Sequence, residues 1–387
     1  MENLSICPSA ELCGGCCYQG VAYEEQLKIK ENEVREYLVN NGIDSDVLIG
    51  IKPCSVRYRY RNKMEYTFGD QVKGGEMHLG LHQVGRFMNI VEVSSCRLVH
   101  EDYNVIVDNT LKFVLDKGYT HYNKKRHEGL CRSLVIRRGV RTEELVINIV
   151  TTSESDFDES AFVKMILGLK LENKVAGILH TINDSLSDVI KSDETRLLYG
   201  REYYEEEIMG LKFRIGPFSF FQTNVEAAER LYLDAISLID GLEGKTVYDL
   251  FCGTGTITQA MAKKAKKAIG VEIVEEAVNT ARESAKLNGL YNCEFITEDV
   301  LTALDKIEDK PDVIVVDPPR SGIVPKAMEK ILAYGVDQIV YISCNPKTMA
   351  VNLKAAVEKG YDIVSVQAYD NFPMTKHIET VCCLYNK

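Results

Sequence analysis

Cys344 and Glu379 are the two side chains whose setting could support covalent chemistry. Residues 339–343 (Ile-Val-Tyr-Ile-Ser) read as a buried-type strand that ends at Cys344, and Asn345-Pro346 suit the cap and first position of a helix. A thiol beside a helix N-terminus lies at the positive end of the dipole, which favours thiolate. Glu379, in His377-Ile378-Glu379-Thr380-Val381, starts the last strand and can project to the same edge. A thiolate adds well to C6 of a uracil and turns the inert C5 into an enolate carbon. After C5 takes a methyl group, its proton must pass to a base before the thiolate leaves. Cys344 and Glu379 would supply that nucleophile and that base.

A methyl donor needs a nucleotide site on the same edge. Residues 246–251 form a short β-branched and apolar run that ends in Cys252-Gly253-Thr254-Gly255, where glycines allow a tight turn and close backbone approach to a ligand. Glu272 ends the next strand about twenty residues on, where a carboxylate can accept both ribose hydroxyls. Asp317 ends a further strand in Val-Val-Asp-Pro-Pro-Arg. NAD is the rival ligand, but Gly-Thr-Gly-Thr-Ile-Thr lacks the third glycine of the dinucleotide fingerprint. S-adenosylmethionine has no pyrophosphate to cradle and fits better. Asp-Pro-Pro alone also suits amino-group methylation of adenine or guanine, which needs no nucleophilic cysteine. Cytosine C5 methylation uses the same thiolate addition, and the His-Ile-Glu element favours uracil.

The chain has twelve cysteines, and Cys7, Cys13, Cys16 and Cys17 are crowded together. Cys7-x5-Cys13-Gly-Gly-Cys16 with a distant fourth thiolate suits an iron–sulfur site. Zinc sites pair two tight knuckles, and no second one is visible. The five-residue first gap also departs from the C-x3-C-x2-C spacing of radical S-adenosylmethionine chemistry. Cys96, Cys54 and Cys131 compete as the fourth ligand.

These residues need two kinds of scaffold. The 387 residues, 45% hydrophobic and 27% charged, suit two domains. From about residue 218 strands and helices alternate, which points to an α/β, Rossmann-like methyltransferase domain with a mainly parallel sheet. Strands are expected at 312–316, 338–343 and 363–368, with helices at 275–288, 325–334 and 346–359. The run 378–384 follows a strand without an intervening helix and should pair antiparallel. The first half looks α+β: a helix near 23–41, strands at 60–69 and 77–93 around Gly74-Gly75, and further strands at 133–139 and 144–151. The expected division is 1–215 for the iron–sulfur and RNA-binding part and 216–387 for catalysis, with part of 17–50 packing on the catalytic domain. Neither a secretory signal nor a membrane-length apolar run is present, so the expected location is cytoplasmic and no membrane is involved. Net charge is −11, so contact with nucleic acid must be local. Lys52 to Lys63, with Arg57, Arg59 and Arg61 between, and the group Lys124 to Arg141 are the basic candidates.

Together these motifs resemble the bacterial RNA 5-methyluridine (uracil-C5) methyltransferases. The resemblance covers most of the chain and is most specific in Phe220-Phe221-Gln222-Thr223-Asn224, Asp249-Leu250-Phe251-Cys252-Gly253-Thr254-Gly255, Asp317-Pro318-Pro319-Arg320-Ser321-Gly322, Ser343-Cys344-Asn345-Pro346 and His377-Ile378-Glu379. It implies that Gln222, Phe251, Glu272 and Asp317 hold S-adenosylmethionine, with Thr256 and Asp299 as additions. It also implies Cys344 as nucleophile, Glu379 as base, and Cys7, Cys13, Cys16 and Cys96 as ligands of a [4Fe-4S] cluster. Arg61-Asn62-Lys63 and Gly80-Leu81-His82 are further similar stretches. Many members carry a small RNA-binding barrel ahead of the cluster, whereas this chain begins at the cluster. That resembles the shorter ribosomal enzymes, although Cys-Gly-Gly-Cys resembles the longer ones. The expected partner is RNA, 23S ribosomal RNA first and tRNA second, with no obligate protein partner.

Overall fold

The computed structural model describes residues 6–186, 193–307 and 310–387. The chain forms two compact units that exchange segments. The first comprises the N-terminal segment to Gly20, Val56–Glu207 and Arg214–Phe218, and the second comprises Val21–Ser55, Ile208–Phe213 and Ser219–Lys387.

The second unit is built on an eight-stranded sheet ordered Leu48–Lys52, Tyr361–Tyr369, Glu379–Asn386, Gln338–Ser343, Val313–Val316, Thr246–Leu250, Lys267–Glu272, Cys293–Thr297. Its central strands are buried end to end, as the apolar runs 313–316 and 338–343 require of strands covered on both faces. All pairs are parallel except those of Glu379–Asn386, which runs antiparallel between Gln338–Ser343 and Tyr361–Tyr369. The antiparallel final strand therefore forms as expected, and it is inserted between two strands instead of added at an edge. Helices Pro325–Ala333 and Pro346–Glu358 both start with proline at their first turn.

Helix Tyr23–Asn40 also belongs to this unit, and its buried residues Tyr23, Gln26, Lys30, Val34 and Leu38 recur every three or four positions along one face. That face holds the segment leading to Glu379. Lys30 Nζ lies 2.5 Å from Asp370, with both side chains fully buried. Met374 N donates to Gln26 Oε1 at 3.1 Å. A buried ion pair of this kind is costly to break from one side only.

The first unit has a seven-stranded sheet ordered Arg86–Glu92, Met77–Gln83, Lys63–Asp70, Cys131–Gly139, Glu144–Thr151, Lys174–Ile182, Glu194–Gly200. All its pairs are antiparallel except Glu144–Thr151 with Lys174–Ile182. Helices Glu101–Asp116 and Glu159–Leu167 lend Tyr103, Ile106, Phe113 and Phe162 to its core. Residues 77–93 make two strands where the sequence reads as one. The chain reverses at Val84-Gly85, with Gly85 at φ +71°, a left-handed geometry glycine adopts without steric cost. Among the described residues no helix is long and apolar enough to cross a membrane.

Candidate active site

Sheet register assembles the reactive groups. The ladder between Gln338–Ser343 and the final strand ends with Ser343 opposite Thr380, and Thr380 Oγ1 donates to Ser343 O at 3.1 Å. One more step along antiparallel strands sets Cys344 across from Glu379. On the other side of Gln338–Ser343, Val313–Val316 runs parallel and delivers Asp317 just past its end. Leu250 pairs with Val316, so Phe251 and Asp317 leave neighbouring strands at the same level.

The thiol does not behave as its helix terminus suggests. Burial, followed by the nearby Glu379 and Asp317 carboxylates, pushes Cys344 up to about 11, and contact with Arg320 only partly opposes this. Asn345 occupies the cap position, but its side chain makes no cap hydrogen bond. Its Nδ2 donates instead to Arg320 O at 2.8 Å, tying the Asp-Pro-Pro-Arg loop to the start of the helix. Arg320 Nη2 also donates to His377 Nδ1 at 2.9 Å, so the guanidinium spans the loop bearing Asp317 and the strand start bearing Glu379. Glu379 is 7% exposed, and burial with the neighbouring Asp317 raises its carboxyl to about 8 while Arg320 opposes. A carboxyl poised near neutrality is suited to take a proton at physiological pH.

The nucleotide end is acidic. Burial and then Asp249 hold Asp317 at about 8. Asp249 is raised to about 7 by burial, although Thr258 Oγ1 donates to its Oδ2 at 2.5 Å. Asp249 Oδ1 is buried without a hydrogen-bond partner among the described residues. Glu272 accepts from Gly253 N at 3.1 Å and Val274 N at 2.9 Å, which fixes the carboxylate and leaves further lone pairs. Phe251 holds φ +70°, a conformation that costs a non-glycine residue about 1–3 kcal/mol and that clusters at functional sites. Gly255 is also left-handed, and a Cβ there would come within 2.6 Å of Phe295, so only glycine fits.

Gln222 Nε2 donates to Tyr232 Oη at 2.9 Å. Tyr232 is buried and held well above its usual range by burial and by Asp317, with Glu379 and Asp249 also acting on it. The structure thus brings Gln222, Asp317, Cys344 and Glu379 into one electrostatic neighbourhood. Thr256 opens the helix Thr256–Ala262 and is nearly buried. Asp299 is exposed, and its Oδ1 accepts from Leu301 N at 2.9 Å as the cap of Val300–Lys306. Tyr232 does not stand out in the sequence, and Arg320, Asp249 and His377 appear there only as letters of longer motifs.

In the first unit, Cys7, Cys13, Cys16 and Cys96 lie close enough to act on one another. Burial pushes Cys16 up to about 12, and Cys96, Cys13 and Cys7 add to the rise. Burial likewise raises Cys96, with further contributions from Cys13 and Cys7. Among the described residues no three His, Cys, Asp or Glu side chains are grouped to hold a metal ion.

A family model described as tRNA (Uracil-5-)-methyltransferase matches residues 158–387. A relative from Clostridium tetani described as an uncharacterized RNA methyltransferase is 47% identical over 381 residues, 98% of this chain and 84% of the relative. Another, from Caldanaerobacter subterraneus, is 46% identical over 380 residues with the same two shares. The crystal structure of Pyrococcus abyssi tRNA (uracil-54, C5)-methyltransferase in complex with S-adenosyl-L-homocysteine superposes with a TM-score of 0.79 at 27% identity, over 96% of this chain and 86% of that one. The chain belongs to the tRNA (uracil-5-)-methyltransferase family, S-adenosylmethionine-dependent RNA methyltransferases.

Proposed function

We propose that this protein methylates C5 of a uridine in 23S ribosomal RNA through a covalent Cys344 adduct. The observation that carries this reading is the register that sets Cys344 across from Glu379, beside Arg320 and Asp317. Cys344 gives up its proton to solvent and Sγ bonds to C6, while the electrons of the C5–C6 double bond move into an enolate that makes C5 nucleophilic. S-adenosylmethionine, when bound, supplies the methyl group. The Glu379 carboxylate then takes the proton from C5, the Sγ–C6 bond breaks, and the ring double bond returns. Arg320, in contact with both the thiol and His377, favours the ionised sulfur and holds the edge together. Such a reaction takes the target base out of its stack.

Gln222, Phe251, Thr256, Glu272, Asp299 and Asp317 would hold the methyl donor. The donor carries a sulfonium and an ammonium group, and a site with Asp249, Glu272 and Asp317 at its wall suits a cation better than a pyrophosphate. The buried, unpartnered oxygen of Asp249 is a further place for a cation or donor.

Cys7, Cys13, Cys16 and Cys96 would hold a [4Fe-4S] cluster in a domain that also contacts RNA, within an expected division at about residue 215. One observation supports the cluster: the four thiols lie close enough to act on one another electrostatically. The expected setting is the cytoplasm.

The ribosomal assignment follows the motif resemblance. A tRNA substrate is the second reading, favoured by the Pyrococcus abyssi structure, whose protein is a tRNA uracil-54 enzyme. Mechanism is tested with Glu379→Gln. Mixed with substrate RNA and methyl donor, it should accumulate a protein–RNA adduct that survives denaturing electrophoresis and vanishes in the Glu379→Gln, Cys344→Ala double variant. Normal turnover by Glu379→Gln would remove the glutamate from the mechanism.

A further inference from the structure

The first unit contains a cavity that the methyl-transfer chemistry does not use. It measures about 210 Å³ and is lined by residues from the strands Lys63–Asp70, Met77–Gln83 and Arg86–Glu92 and from the segment 121–125. Small-molecule pockets begin at roughly 300 Å³, so this one suits a single ring better than a whole cofactor.

Its mouth carries a flat aromatic platform. The His82 and Phe87 rings stack with centroids 4.1 Å apart and planes 12° from parallel. His82 Nδ1 donates to Phe87 O at 2.5 Å, which locks the imidazole against its neighbour. Phe87 nevertheless remains 54% exposed, so part of its surface is open to a ligand. Lys124 Nζ lies 4.6 Å from the centre of the Phe87 ring, while Lys73 and Lys125 are exposed on the rim. Asp70 is the acidic residue of the lining, and its Oδ2 is engaged by Gly74 N at 2.7 Å in the hairpin turn.

In a chain of net charge −11, three lysines around an exposed aromatic stack make a strong local departure. Single-stranded nucleic acid is bound by this combination, bases stacking on aromatic faces while cations follow the phosphates. An apolar protein partner would leave the lysines desolvated, and an acidic peptide would not use a planar platform. We propose that this cavity is a second RNA-contact site that takes one unpaired nucleotide of the substrate. Its base stacks on the Phe87 face opposite His82, taking the place Lys124 now holds over the ring, and its phosphates meet Lys73, Lys124 and Lys125. The assignment rests on the RNA methyltransferase reading and extends it to a second unit of the chain.

The test is equilibrium binding of fluorescein-labelled ribosomal RNA and tRNA fragments by the whole protein. Loss of one base stack is worth about 1–3 kcal/mol, so Phe87→Ala should weaken binding between about 5-fold and about 150-fold. Phe87→Trp should restore most of the affinity, which a folding defect would not allow. Lys73→Ala with Lys125→Ala should flatten the plot of log affinity against log salt by about 0.7 per lost phosphate contact. Binding of S-adenosylhomocysteine and the melting temperature should not change in any of these variants. Unchanged RNA affinity in Phe87→Ala, an unchanged salt slope in the lysine variant, or no RNA binding by the wild type overturns the assignment. Methylation by the wild type is read separately and reports on the active site, so the two readings can fail independently.

Discussion

The active-site edge and the cysteine loop both gather reactive groups, and they do so by opposite routes. At the edge, Asp317, Cys344 and Glu379 come from three separate segments and meet through strand register, and Gln222 joins them through its bond to Tyr232. In the loop, Cys7, Cys13 and Cys16 are close in sequence and Cys96 is the distant member. Burial raises the thiols in both places, Cys344 to about 11 and Cys16 to about 12. What opposes the rise differs. Arg320 acts on Cys344, whereas Cys16 has a Gln19 hydrogen bond and other thiols for neighbours. A thiol flanked by a guanidinium and a base can ionise for a moment during a reaction. A thiol surrounded by thiols ionises when a metal takes the place of its proton.

The sharpest way to break the edge is to remove its two reactive groups in turn. Cys344→Ala should abolish methyl transfer, with labelled methyl donor as readout, while donor binding by calorimetry survives. Glu379→Gln should slow turnover by roughly 10²- to 10⁴-fold, with the adduct accumulating. Next in size is the support beneath the edge. Lys30→Met strands the buried Asp370 carboxylate and should cost about 3–5 kcal/mol in urea unfolding, with Lys30→Met, Asp370→Leu recovering most of it. In the loop, Cys16→Ser should remove colour and bound iron from anaerobically purified protein and leave donor binding intact. An iron content unaffected by that change would separate Cys16 from any cluster.

The smallest and most diagnostic effect is pH dependence. Glu379 is raised from the ordinary 4.5 to about 8, so the folded state prefers the protonated carboxyl. That preference contributes stability below pH 4.5 and loses it as the pH climbs through about 8. The proposed proton removal needs the carboxylate, so activity should move the other way, rising through the same window. Glu379→Gln, a neutral mimic of the acid, should therefore be more stable than wild type at pH 8, and the difference should fade toward pH 4.5. A stability difference independent of pH would contradict the assigned titration.

How much of this was legible in the sequence depended on what each feature rests on. The strand 338–343 reads at its true bounds because a buried parallel strand is a nearly unbroken apolar run between turn residues. The strand Leu48–Lys52 was not legible. It pairs with Tyr361–Tyr369 about three hundred residues away, and a short sequence carries no trace of so distant a partner. The reversal at Val84-Gly85 was missed because a lone glycine between alternating residues looks like continuing strand. Cys344 and Glu379 stood out through residue type and the strands they border. The Arg320 contact with the thiol, the raised Glu379 carboxyl and the buried Asp249 oxygen depend on burial and facing neighbours, which spacing does not encode. Burial also raises the Cys344 thiol where its place at a helix start suggested a thiolate, and burial too is not encoded in spacing.

The central claim is tested most directly by incubating anaerobically purified protein with methyl-labelled S-adenosylmethionine and unmodified ribosomal RNA and tRNA transcripts, then identifying the labelled nucleoside. The account predicts 5-methyluridine from the wild type, none from Cys344→Ala, and label in the ribosomal transcript. Label in tRNA would move the substrate to the second reading, while full activity in Cys344→Ala or label on any other nucleoside would contradict the account.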